Sequence, residues 1–278
     1  AYYPDVDDTA VVALALHRAD GLRPGREVGQ FTEVIARAGE WVIGMQGRDG
    51  GWGAFEPDNT QRYLNNIPFA DHGALLDPPT ADVSARCLSL LAQLQPGAAA
   101  RRRAPAGRAL AWLLRHQEAD GSWYGRWGVN YIYGTWSVLC ALGAAGLGSD
   151  ARPVARAVAW LTGMQNADGG WGEDGSSYRL DYAGYEAAPS TPSQTAWALL
   201  GLMAAGAVDT PAVARGVDWL LARQRGDGLW DEAHHTATGF ERVFYLRYHG
   251  YARYFPLWAL ARWRRLRAGG GVRVGFGL

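Results

Sequence analysis

The chain has 278 residues, with 27 basic residues, all of them Arg, against 27 acidic ones, and a formal net charge of zero. That length suits one large domain or two small ones with a substantial buried core, and the balanced charge excludes a general attraction to nucleic acid or anionic lipid. No apolar run reaches the roughly 18 residues of a membrane span and no signal peptide opens the sequence, so the expectation is a soluble or monotopic protein. Two short basic runs, "RRRAPAGR" and "RWRRLR", read as solvated helix faces. Cys87 and Cys140 sit in the apolar contexts "SARCLSLL" and "SVLCALG" and read as buried thiols of a reducing compartment, which makes redox chemistry a poor fit.

In chain order, the first element is "PDVDDTAVVALAL", which sets Asp5, Asp7 and Asp8 within four residues ahead of an apolar run. A helix start would be stabilised by Asp5 or Asp8, but that accounts for one carboxylate and not three. An EF-hand loop needs Gly and Glu where this chain has Ala10 and Leu16. A magnesium–diphosphate site would want a DDxxD-like spacing with basic residues nearby, and neither is present. The remaining reading is a carboxylic acid kept protonated by burial and like-charged neighbours, poised to donate its proton.

Next comes the first copy of an internal repeat. "RAGEWVIGMQGRDGGW", "RALAWLLRHQEADGSW", "RAVAWLTGMQNADGGW" and "RGVDWLLARQRGDGLW" align without gaps. A Trp (Trp41, Trp112, Trp160, Trp219) precedes a Gln (Gln46, Gln117, Gln165, Gln224) by five residues, and a second Trp (Trp52, Trp123, Trp171, Trp230) follows that Gln by six. Each copy predicts a helix ending near its Gln and an Asp-Gly turn that returns the second Trp to the core, with the Gln bonding backbone groups of a neighbouring helix end. Recurring aromatics at such spacing favour core over a ligand groove.

Between the repeats lie more apolar segments: "DDTAVVALALH", "TADVSARCLSLLAQL", "GTWSVLCALGAAG", "TPSQTAWALLGLMAAG" and "YFPLWALARWRRL". Thr191, Pro192 and Gln194 predict a capping box. Helices apolar nearly all round are buried, so the alternation predicts an all-α protein with inner and outer helices, an α/α barrel. The long spacers 53–79 and 172–190 would gather at one end of it and carry function. Five inner and four outer helices fall short of six pairs, and an inner helix is under way at once, so the expectation is an incomplete barrel whose preceding part is absent.

"DVDDTA", the four Gln–Trp repeats, "GRWGVNYIYGTW" and "STPSQTAWALLGL" together resemble the C-terminal catalytic portion of squalene–hopene cyclases, which are class II triterpene cyclases, over essentially residues 1–278. The acid motif is the alkene-protonating form and not the cysteine-containing version of oxidosqualene cyclases. The resemblance implies protonation-initiated polycyclisation of squalene to hopene- or hopanol-type pentacycles. It implies no metal and no other cofactor. The implied proton donor is Asp7, with Asp5 and Asp8 hydrogen-bonding its conjugate base. Arg86 stands where many members have His, a permanent charge in place of a titratable one. Asp82, four residues before it, faces the same side of the helix.

The same resemblance puts Phe240, Phe244, Tyr248 and Tyr251 around the later rings, along one face if "FERVFYLRY" is helical, and Trp127 and Tyr133 near the earlier ones. Aromatic faces stabilise a migrating cation by about 0.5–2 kcal/mol per contact without capturing it. Phe55 stands where relatives often have Tyr. Phe69 and Ala70 match a constriction at the mouth of the substrate channel. The implied partners are squalene or a similar polyprenyl substrate, the cytoplasmic side of the cell membrane in monotopic attachment, the preceding half of the enzyme, and a second copy in a homodimer, with no nucleic acid. Cyclisation of another polyprenyl hydrocarbon, and an inactive structural fragment, stay open beside this reading. A glycosidase would need two opposed carboxyls at a wider separation, and a zinc prenyltransferase would need acidic and His ligands near its Cys.

Overall fold

The computed structural model describes residues 3–20, 29–68, 75–94, 99–178 and 184–269. It divides into one unit ending at His116 and another beginning at Gln117. In the first, α1 (Val6–Asp20), α2 (Thr32–Gly44), α3 (Ala81–Gln93) and α4 (Ala99–Arg115) alternate, with α1 against α3, α2 against both, and α4 against α3. In the second, α5 (Tyr131–Ala144), α6 (Arg152–Gly163), α7 (Pro192–Ala204), α8 (Pro211–Ala222) and α9 (Tyr251–Arg267) continue the pattern: α7 packs on α5 and α9, while α6 and α8 flank them. The odd-numbered helices are the apolar segments of the sequence and the even-numbered ones carry the repeats.

Composition explains which helices lie inside. Every residue of α3 from Ala81 to Leu91, of α5 from Tyr131 to Leu142 and of α7 from Pro192 to Met203 is buried. The helices α1 and α9 depart from the expectation of burial all round. The buried residues of α9 are Ala252, Pro256, Ala259 and Arg262, a single stripe, while Tyr254 and Leu257 are exposed. Val12 of α1 is exposed likewise.

The repeats do what their spacing predicts. In the Asp-Gly turns Gly50, Gly121, Gly169 and Gly228 all have φ between +81° and +106°, a left-handed conformation that costs Gly little. The turn Asp accepts a backbone N–H two residues on, at 2.9–3.0 Å, in Gly51, Ser122, Gly170 and Leu229. Each Gln side-chain amide donates to the carbonyl of its own turn Gly, and Gln46, Gln117 and Gln165 donate also to the next outer helix, at Pro105 inside α4 and at Pro153 and Ala212 in the first turns of α6 and α8. Arg108, Arg156 and Arg215 reach back to the Oε1 atoms of the same three Gln residues. The second Trp is core: Trp52, Trp171 and Trp230 donate Nε1–H to the carbonyls of Val42, Leu161 and Leu220 at 2.7–2.8 Å. The backbone N–H of Trp52, Trp123 and Trp171 meets a hydroxyl on an inner helix, Ser84, Thr135 and Thr195.

Two expectations are corrected. Thr191 caps α7 by accepting the N–H of Gln194 at 3.2 Å, and Gln194 Oε1 accepts the Thr191 hydroxyl at 2.9 Å but not its backbone N–H, so the capping box is only half closed. The Gln194 amide donates to the carbonyls of Glu173 and Val129, and the Thr191 N–H goes to Trp171 O. Tertiary acceptors outcompete the local one. Second, "FERVFYLRY" is not helical. Strands β1 (Ala237–Phe240) and β2 (Phe244–Leu246) pair antiparallel, with a bulge between Thr238 and Phe240 and Arg242 at φ +63° in the turn. The β-branched and aromatic run "ATGF…FYL" suits a pleated ribbon, and β1 gains further pairing through Thr236 and Thr238 with residues 127–129.

Candidate active site

In the first unit, helix α1 gives its three acids three different environments. Asp5 precedes the helix and caps it: its Oδ1 accepts the N–H of Asp8 at 2.8 Å, and its carbonyl accepts both the N–H and the hydroxyl of Thr9. Asp8 is exposed. Asp7 turns inward, its Oδ2 accepting from Arg86 Nη1 at 2.6 Å, with the two side chains only 17% and 7% exposed. Asp5 thus places one carboxylate oxygen on the helix end. Asp82 and Arg86 are both buried on α3, and the Asp82 charge acts on Asp7.

Burial pushes the Asp7 carboxyl up from its ordinary 3.8 to about 6; the Arg86 guanidinium opposes the rise, and the negative charges of Asp82 and Asp5 add to it. Asp5 is raised too, again chiefly by burial. Asp7 Oδ1 is buried without a hydrogen-bond partner among the described residues. One oxygen is therefore held by a cation while the other is buried without a partner, so the anion left by proton release is stabilised by Arg86.

Placement of α1 depends on a residue the sequence reading passed over. Asp77 accepts the N–H groups of Ala54, Phe55 and Glu56 at 3.0, 2.7 and 2.9 Å, and Ala54 O in turn accepts the N–H of Val6 at 2.8 Å. The turn after Trp52 is so tight that a Cβ on Gly53 would lie 2.5 Å from Asp77 O. Phe55, 39% exposed, leaves this turn beside the start of α1. Phe69 and Ala70 lie outside the described residues.

In the second unit, Trp127 ends a turn that leads into α5, and the Arg126 guanidinium lies over its ring at 4.3 Å while pairing with Glu241 and Gly239 O of the hairpin. Tyr133 is buried and meets Trp136 and Trp197 edge-on, with ring centroids 5.5 and 4.9 Å apart. Phe240 and Phe244 face each other across the hairpin at 5.3 Å. Tyr248 and Tyr251 are 5.0 Å apart, and Tyr251 reaches Trp197. Phe244 and Tyr248 are 42% and 51% exposed, so these rings are neither a helical stripe nor core. Sequence reasoning missed Trp136, Trp197 and Phe255, which complete this cluster on α5, α7 and α9. Their signal was their place on apolar helices.

Among the described residues no group of three His, Cys, Asp or Glu is set to hold a metal ion. The acid cluster divides because its members point to a cap, to Arg86 and to solvent.

A consequence for stability follows from Asp7. Its folded value lies above its unfolded one, so its contribution is full below about pH 4 and is lost as pH rises through about 6. A rise from 3.8 to about 6 corresponds to roughly 3 kcal/mol. The melting temperature should fall between pH 4 and 6, and Asp7→Asn should flatten that limb in scanning calorimetry; an unchanged slope would contradict the burial argument.

The family model of the squalene–hopene cyclase C-terminal domain matches residues 1–265. The chain is 62% identical over 268 residues to a probable squalene–hopene cyclase of Sinorhizobium fredii, covering 96% of this chain and 41% of that protein. It is 60% identical to the squalene–hopene cyclase of Bradyrhizobium diazoefficiens (100% and 41%) and 50% identical to that of Alicyclobacillus acidocaldarius (95% and 41%). It therefore spans about two fifths of the length of these relatives. Among solved structures, ent-copalyl diphosphate synthase from Streptomyces platensis is 26% identical, with a TM-score of 0.57 over 96% of this chain and 42% of that one. The type II terpene cyclase MstE from Scytonema is 19% identical, with a TM-score of 0.61 over 95% and 74%, and shares the fold. The alternation of inner and outer helices is thus the α/α-barrel architecture of class II terpene cyclases, and the chain belongs to the squalene–hopene cyclase C-terminal domain family.

Proposed function

We propose that this chain is the C-terminal catalytic portion of an enzyme that cyclises squalene, or a similar polyprenyl hydrocarbon, to hopene- or hopanol-type pentacycles. The observation that carries the reading is Asp7: a buried carboxyl with raised proton affinity, an Arg86 partner on one oxygen and a free second oxygen. Its O–H bond breaks as the proton adds to the terminal alkene, leaving a tertiary cation on the substrate and a carboxylate on Asp7. Each following alkene supplies its electron pair to the cation before it, forming one ring bond and moving the charge onward. Loss of a proton to water from the last cation gives hopene, addition of water followed by loss of one of its protons gives the alcohol, and solvent returns a proton to Asp7 after product leaves. Filling the site with hydrocarbon removes water from Asp7 and raises its proton affinity further. Arg86 and Asp82 then set the field at the first cation.

A hydrocarbon substrate is supplied from a bilayer, which supports monotopic attachment; the cytoplasmic face and a homodimer belong to the same family reading. No helix among the described residues is long and apolar enough to cross a membrane. The exposed Val12, Tyr254 and Leu257 support the reading that further helices of a longer chain cover α1 and α9. Gas chromatography of squalene incubated with the full-length enzyme, with and without excess chelator, tests the function. Equal cyclised product in both is expected; loss on chelation with recovery on adding magnesium would make the acids a metal site instead.

The hairpin supplies a further expected result. Because Phe244 is 42% exposed, Phe244→Ala should cost under about 1.5 kcal/mol, the worth of its pairing with Phe240. If its ring stabilises a late cation, losing about 1.4 kcal/mol there slows closure tenfold relative to proton loss, and products with fewer rings accumulate. An unchanged product ratio would remove Phe244 from the cavity wall.

A further inference from the structure

Glu173 is a buried acid that the chemistry above does not use. It stands two residues after Trp171, in the turn of the third repeat, and its side chain reaches the start of α5. There it accepts three successive backbone N–H groups, from Asn130 at 3.2 Å, Tyr131 at 3.2 Å and Ile132 at 3.1 Å. These are donors that a helix start leaves without intrahelical acceptors, at the positive end of the helix dipole. The backbone of Glu173 is itself clamped: its N–H donates to Gln194 Oε1 at 3.0 Å and its carbonyl accepts from Gln194 Nε2 at 2.7 Å. The same Gln194 amide holds Val129 O.

The residues so gripped belong to the segment that presents Trp127 and Tyr133. Asn130 Oδ1 accepts the N–H of Gly125, and its amide donates to Ser177. The Tyr178 hydroxyl lies 2.7 Å from Gly125 O and 2.8 Å from Gly128 O, and accepts from Thr238 Oγ1 of β1. Gly128 lies so close under Tyr133 that a Cβ there would stand 2.3 Å from its ring. Small movements of residues 125–132 therefore displace Tyr133 directly and, through Trp127 O and Val129 N, the hairpin bearing Phe240 and Phe244.

We propose that Glu173 is a positioning residue for cyclisation: through the three N–H groups at the start of α5 it fixes the turn that aims Trp127 and Tyr133, and so governs how far ring formation proceeds. This rests on the cyclase reading. Burial pushes Glu173 up to about 7, while the three backbone N–H groups oppose the rise because they bind the ionised carboxylate more strongly than the neutral acid. The sequence carries a weak trace of the device. Glu232, also two residues after its repeat Trp, accepts the N–H of Ser193 at the start of α7 at 2.8 Å.

The experiment compares wild type with Glu173→Gln, which keeps the shape but turns an amide group toward backbone donors, in the full-length enzyme. Backbone hydrogen exchange at Asn130, Tyr131 and Ile132 should speed by about tenfold or more, with α3 unchanged. Gas chromatography should show the share of products with fewer rings rising several-fold, with kcat falling more than KM rises. Tyr178→Phe, which loses one hydroxyl, should shift the products the same way and serves if Glu173→Gln does not fold. Unchanged exchange at the three amides, or lower yield at an unchanged product ratio, would overturn the inference. A wild-type enzyme that forms no cyclised product would sink the cyclase reading instead, and the exchange data would still decide whether Glu173 holds the turn.

Discussion

Asp7→Asn should abolish squalene conversion, by about 10⁴-fold or more, while the chain stays folded. An amide has no proton of comparable acidity to give, and an alkene is too weak a base to take one from water at a useful rate. The substitution is nearly isosteric, so the packing of α1 against α3 should survive. Its cost comes from the lost Arg86 contact at 2.6 Å, on the order of 1–3 kcal/mol, offset because Asn needs no charge buried. Circular dichroism and product analysis on the same preparation separate the two effects. Normal product from this variant would remove Asp7 as donor. Asp5→Asn and Asp8→Asn should be milder: an amide oxygen can still cap α1 at position 5, and Asp8 faces solvent.

Trp171→Ala should destabilise the second unit by about 3–5 kcal/mol, the usual cost of truncating a buried Trp. Its ring is fully buried, and a Cβ on Gly216 of α8 would stand 2.7 Å from it. Its Nε1 donates to Leu161 O at the end of α6, and its backbone N–H meets Thr195 on α7. The side chain thus joins α6 and α8 while the backbone binds α7, and removing the ring leaves both a cavity and a buried carbonyl without its donor. A fall of about 10 °C in melting temperature is expected. A fall of under about 3 °C would mean the repeat Trp is not the core element argued here. The contrast with Phe244→Ala is informative, since that ring should matter to products and little to folding.

The repeats made most of the helical order legible. Trp, Gln and Asp-Gly at constant spacing encode a helix end, a turn and a buried ring through local rules, and the apolar segments between them announce inner helices through composition. Both signals depend on neighbours in sequence, so they survive without a structure. The acid motif was legible for the same reason: three carboxylates in one turn are an unusual local fact. Local rules could not divide their labour. Asp5 is a cap because the chain turns into α1 there, whereas Asp7 is an acid candidate because Arg86, 79 residues away, comes to it. Nor could they distinguish strand from helix in "FERVFYLRY", where aromatic residues suit both and the antiparallel pairing of β2 with β1 decides. Gln194 looked like a local cap and is a tertiary clasp on Glu173 and Val129. Asp77 and Glu173 were invisible for the deepest reason. Each is a loop acid with no motif around it, and its meaning lies wholly in the backbone N–H groups that folding turns toward it, from Ala54–Glu56 and from Asn130–Ile132. The sequence by itself determined the helices, the turns and the acid motif; tertiary structure decided which carboxyl is buried, which is spent on a helix end, and which side chains aim the aromatic rings, because those outcomes depend on desolvation and on partners far away in the chain.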